Sequence, residues 1–219
     1  LKHEGGGLIM KDNYFSTIEE FKTTLPAKKL MGLAIKELFQ NKNNWFGFVL
    51  SAFLGTVVAI IIGFSAETVV LLVGALNTLI GVQLGIFGCI FAVYSIILAF
   101  LSDSYMKKLA EIPITNKAKK SMLTQSTTYY ESVLFLYFIN IGLTGISLIL
   151  CNCLPSDFRL TTNWLFDCLF ATALMILYFT FSFRVFYEVK STIYNTIVLF
   201  RASIAYKFID FSIDKSDEK

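Results

Sequence analysis

With 55% hydrophobic and only 16% charged residues in 219, the chain carries too little charge for a soluble domain, where about a quarter of positions are charged. Phe alone fills 22 positions. The net charge of +3 hides no Lys/Arg run long enough for a nucleic-acid surface. The densest basic cluster, Lys107, Lys108, Lys117, Lys119 and Lys120, reads as an orientation signal.

Leu1 to Ile9, LKHEGGGLI, differs in character from the rest of the chain. Codons for Glu4-Gly5-Gly6 can resemble a purine-rich ribosome-binding site, and Met10 stands at a suitable distance. Residues 1–9 are therefore expected to be a mis-assigned leader or a cloning scar. His3, the single histidine, falls within them.

Residues 10–44 read as a cytoplasmic, amphipathic N-terminal region. Ser16 and Glu19 have capping-box spacing, with Phe15 as a staple, for a short helix over 17–24 that stops before Pro26. A second helix is expected from Ala27. Leu30, Met31, Ala34, Leu38 and Phe39 recur on one side of it, with Lys28, Lys29, Lys36 and Glu37 elsewhere. Such a helix either lies on the inner membrane surface or packs on the protein's own helices.

From Trp45 to Ser102 the only charge is Glu67. A run so long and apolar belongs in a bilayer. The first span is expected at 45–64, with Trp45 as an interfacial aromatic and Ser65-Ala66-Glu67 as a turn. The remaining 35 residues, Thr68 to Ser102, would make about 50 Å of helix, more than one crossing needs. Gly74, Asn77 and Gly81 suggest a short or re-entrant piece at 67–79 before a span at 79–101; a tilted continuous helix is the competing reading.

A cytoplasmic helical hairpin is expected over 103–130, broken at Pro113 and recapped at Asn116, re-entering the membrane near Tyr129 and Tyr130. The third and fourth spans are expected at 132–150 and 164–183, completing a transmembrane domain over 45–184. Residues 185–219 form a cytoplasmic helix with an acidic tail. Ile193, Ile197, Phe200, Ile204, Phe208 and Phe211 make one apolar stripe on it that needs a partner. Of the 19 Lys and Arg residues, only Arg159 lies outside the three segments 1–44, 103–130 and 184–219. That asymmetry predicts an all-α integral membrane protein of the cell inner (plasma) membrane: four transmembrane helices, both termini cytoplasmic.

Enzymatic chemistry is not expected, and neither are a cofactor or a metal. Without histidine the usual general base and metal ligand is missing, and no phosphate-binding loop is present. Cys89, Cys151, Cys153 and Cys168 have no metal-ligand spacing; they either pack as small residues, or Cys151 or Cys153 pairs with Cys168 near the outer face. Gly81 and Gly85, extended by Cys89, and Gly142 with Gly145 are small residues suited to close helix packing, within one chain or between copies. Asn77, Gln83 and Asn140 lie in apolar sequence and should face protein or water. Glu67 and Asp167, near the outer mouth, would form acidic rings if repeated around an axis. Arg184 and Glu188, four apart, are expected to pair on a helix surface.

In outline, four spans with helical mass on the cytoplasmic side, the chain resembles the small multi-span membrane effectors of bacterial antiphage systems. The resemblance covers architecture alone. It implies a homo-oligomeric pore or ion channel gated from the cytoplasm, with Glu67, Asp167, Asn77, Gln83 and Asn140 as candidate pore residues. The alternatives are a non-conducting scaffold that docks a soluble cytoplasmic partner through the Ile193–Phe211 stripe, and a small transporter subunit with Asn77, Gln83, Asn140 and Asp167 at one midplane site.

Overall fold

The computed structural model describes residues 27–40, 45–100, 109, 122–155, 158 and 161–217. The expected leader, the capping box at Ser16, Arg159 and most of the 103–130 hairpin lie outside these residues. Among the described residues five helices form: α1, Ala27–Gln40; α2, Trp45–Gly63; α3, Thr68–Phe100; α4, Met122–Asn152; and α5, Trp164–Asp217. Among the described residues there is no strand. The last four helices are each long and apolar enough to cross a membrane. Large apolar side chains stay exposed along them, among them Phe53, Ile61, Phe138, Ile149 and Leu177. Exposure on this scale suits lipid and not water.

The expected interruption near 67–79 is absent, because α3 is one unbroken helix of 33 residues. A lone glycine costs a helix only about 1 kcal/mol. Breaking the backbone in apolar surroundings would orphan several hydrogen-bonding groups at greater cost. The turn at Ser65-Ala66-Glu67 does form. Thr68 Oγ1 donates to the Ser65 carbonyl (2.8 Å) and the Glu67 backbone N–H to Ser65 Oγ (3.2 Å).

Successive crossing helices run antiparallel. α2 lies against α5, with Gly47 facing Tyr187, Gly55 facing Thr180 and Gly63 facing Thr172. α4 lies against α5 through Thr144–Tyr178, Asn140–Ser182 and Tyr137–Val185. α3 lies against α4 through Gln83–Thr144 and Tyr94–Glu131. α3 also packs Leu72, Ala75 and Leu79 on Ala59 and Ile62 of α2 and Met175 and Phe179 of α5, so it touches all three other long helices. The ends at Trp45, Phe100 and Met122 share one side, from which α5 also continues. The 63–68 turn and the 152–164 loop share the other.

The closest approach is between α2 and α5. Gly47, Ser51, Gly55, Ala59 and Gly63 recur every fourth residue and are all buried. A Cβ on Gly55 would sit 2.6 Å from the Thr180 backbone nitrogen, so only glycine lets the two backbones meet there. Below this seam Ala59, Ile62, Met175 and Phe179 form one apolar cluster. A second cluster joins Ala34 and Leu38 of α1 to Ile90, Val133, Leu136, Tyr137 and Val185. Part of α1's apolar side therefore packs on the protein itself.

Candidate functional site

Polar groups inside an apolar bundle gather where they can pair, and here they do so in two layers. The first sits mid-bundle where α3, α4 and α5 meet. Thr144 Oγ1 lies 2.6 Å from Tyr178 Oη, 2.8 Å from Gln83 Oε1 and 2.8 Å from the Asn140 carbonyl. A hydroxyl has one proton and two lone pairs. With Tyr178 donating to Thr144, the threonine proton is left for Gln83 or the Asn140 carbonyl. Ser182 Oγ donates to Asn140 Oδ1 (3.0 Å). Gln83, Asn140 and Thr144 are fully buried, and Gln83 Nε2 and Asn140 Nδ2 have no partner among the described residues. The ladder continues along the α4–α5 seam, with Tyr137 Oη donating to the Val185 carbonyl (3.2 Å). Further along, Tyr130 Oη lies 3.0 Å from Thr196 Oγ1.

The second layer joins α1 to the bundle. Arg184 and Glu188 pair as their spacing suggests, but the pair is buried and not on a helix surface: Arg184 is 2% exposed and Glu188 7%. The reason is α1. Arg184 Nη2 donates to the Leu38 carbonyl (2.9 Å), one of the last carbonyls of α1, which lack intrahelical donors. A cation at a helix C-terminus also meets the favourable end of its dipole. The guanidinium stands 5.7 Å from the Tyr187 ring centroid. Beside Glu188, a cavity of about 10 Å³ is lined by Ala34, Leu38, Ser132, Val133 and Leu136.

The other expected site residues scatter. Asn77 is exposed on α3. Glu67 is exposed at the start of α3, where its carbonyl accepts the Leu71 backbone N–H (3.0 Å). Asp167 is tied into the loop before it, accepting from Thr161 Oγ1 (2.8 Å) and the Thr161 backbone N–H (3.1 Å), while Asn163 Oδ1 caps α5 at Leu165 N–H (3.2 Å). Asn77, Gln83, Asn140 and Asp167 therefore do not converge on one midplane site. All four cysteines carry free thiols; Cys168 is buried and Cys89 exposed.

The glycines singled out in the sequence are not packing positions within the chain. A Cβ at Gly81, Gly85 or Gly142 would meet nothing within 4 Å, and one at Gly145 only Ile80 Cδ1 at 3.9 Å. Gly74 and Gly88 are equally open. At 100° per residue Gly74, Asn77, Thr78, Gly81, Gly85 and Gly88 share one side of α3, and Glu67 falls on the same line. Only 17% of α3's most apolar window is buried, against 33% for α2 and 28% for both α4 and α5. On the long α5, Ile193, Ile197, Phe200, Ile204 and Phe208 are exposed, and the Phe211 side chain lies outside the described residues.

What the sequence reading missed is the α2 seam and the partners of Gln83 and Asn140. The five small residues at intervals of four were there to be read. Thr144, Tyr178 and Ser182 gave no comparable signal, because hydroxyls are ordinary in apolar helices, where they can bond the carbonyl four residues back. Among the described residues no three His, Cys, Asp or Glu side chains cluster as a metal site would require. The chemistry on offer is neutral hydrogen bonding at mid-bundle, one buried ion pair, and one open polar-and-small helix face. No known family model matches the sequence, and neither a curated protein nor a solved structure proves similar to it.

Proposed function

We propose that the chain is a non-enzymatic subunit of a homo-oligomeric membrane pore, with the open face of α3 turned toward neighbouring copies around a shared axis. One observation carries this reading: a crossing helix presents four glycines, Asn77 and Thr78 to surroundings in which the single chain places nothing. In lipid, small residues bring helices together and polar side chains turn away from hydrocarbon. Glu67 on the same line would give each copy a carboxylate at the pore mouth, which favours cations. Gln83 is spent on holding α3 to α4 through Thr144, Asn140 on holding α4 to α5 through Ser182, and Asp167 on its loop, so of the five candidate pore residues Asn77 and Glu67 are retained. Lysine and arginine sorting supports an orientation with both termini in the cytoplasm of a bacterial-type inner membrane, where α5 extends as the gating element. An antiphage effector of this architecture would act by permeabilising that membrane.

Purified protein in liposomes should pass monovalent cations, with selectivity weakened in Glu67→Gln and conduction lost in Gly81→Leu. Liposomes that stay tight with the wild-type protein, alone and with cell extract, would remove the pore from consideration. The scaffold reading is favoured by a different observation, the exposed Ile193–Ile204 stripe. Under it, removing 191–219 abolishes capture of a soluble partner and leaves the crossing helices intact.

A further inference from the structure

The end of the bundle at Trp45 carries a surface that conduction does not use. α1 turns Ala34 and Leu38 inward and leaves Lys28, Lys29, Met31, Ile35 and Lys36 exposed. At 100° per residue, Lys28, Met31 and Ile35 lie along one line, with Lys36 and Lys29 on its flank. The depth of this surface is fixed by contacts. Arg184 holds the Leu38 carbonyl, and one turn further Tyr187 packs on Gly47, the third residue of α2. The C-terminal end of α1 is therefore level with the point where the first crossing helix begins and where Trp45 is 76% exposed. Exposed Lys190 stands at the same level, its Nζ 5.8 Å from the Tyr187 ring centroid. Glu188, the carboxylate nearest to these groups on α5, is engaged by Arg184 and offsets none of this charge.

We propose that α1 and Lys190 form a binding surface for anionic lipid headgroups. The lysines meet the phosphates while Met31 and Ile35 enter the acyl boundary. Charge complementarity and depth both select this occupant: Lys28, Lys29 and Lys36 share the exposed side of α1 with Met31 and Ile35, and Lys190 adds a cation at the level where the chain passes into hydrocarbon. Cations beside an anionic leaflet are each worth about a fivefold gain in affinity. The inference rests on the membrane reading and not on conduction; liposomes that fail to pass ions leave it standing.

Trp45 reports on this surface directly. The chain has 2 tryptophans, so Trp164→Phe leaves Trp45 alone. In nanodiscs of unbrominated phosphatidylcholine, a small fraction of brominated phosphatidylglycerol should quench Trp45 more strongly than the same fraction of brominated phosphatidylcholine. Adding Lys28→Gln, Lys29→Gln and Lys36→Gln should remove that excess. Arg201→Gln, about 17 Å beyond Lys190 along α5, should keep it. Equal quenching by both lipids, an excess that survives the triple substitution, or one lost in Arg201→Gln, would overturn the proposal.

Discussion

α2 and α3 are both apolar, glycine-bearing helices that cross the bundle, yet their glycines meet opposite surroundings. On α2, Gly47, Gly55 and Gly63 are filled by Tyr187, Thr180 and Thr172 of α5. On α3, Gly74, Gly81, Gly85 and Gly88 face open space. A small residue in a crossing helix thus permits close approach, without saying whether anything in the same chain makes it. α2 spends its glycines on folding. α3 packs Leu72, Ala75 and Leu79 on the α2–α5 cluster and Ile90 on the cluster with α1 and α4, and its small face stays uncovered within the described chain.

Substitutions separate the two roles, and the largest effect is expected where α1 is locked to α5 near the Trp45 end of the bundle. Arg184→Gln leaves the Glu188 carboxylate buried without its cation and frees the Leu38 carbonyl, a loss of about 3–5 kcal/mol. Thermal unfolding in detergent reads the loss, and exposure of a cysteine placed at Ala34 reads the release of α1. Gly55→Leu ranks next at about 3 kcal/mol, since a branched side chain must drive two backbones apart; loss of monodisperse protein is the readout. Thr144→Val should cost about 1 kcal/mol, within the range found for interhelical hydrogen bonds in membranes, and should loosen α3 more than α2 in hydrogen exchange. Gly81→Leu with Gly85→Leu should change the stability of a single chain by no more than about 0.5 kcal/mol. If that pair unfolds the chain as Gly55→Leu does, the contrast between the two helices is wrong.

Much of the fold was legible because one quantity dominates it. Apolar length marks four helices able to cross a membrane without reference to any partner. α3's continuity was less legible, since Gly74 and Asn77 look like breakers until the cost of unpaired backbone in apolar surroundings is counted. The roles of individual small and polar residues were mostly hidden. Gly55 and Gly81 have the same local sequence character and differ only in whether Thr180, 125 positions away from Gly55 in the chain, comes to meet them. Arg184 and Glu188 read as an ordinary surface pair. Their burial depends on Leu38, 146 residues distant.

The claim most exposed to test is that α3's open face is shared between copies. Stepwise photobleaching of singly labelled protein, extracted into native-membrane nanodiscs, counts the chains in each particle. Several bleaching steps for the wild type, falling to one in Gly81→Leu with Gly85→Leu while the Gly142→Leu control keeps its count, is the predicted result. A wild-type count of one, or a count that both α3 substitutions leave unchanged, would contradict it.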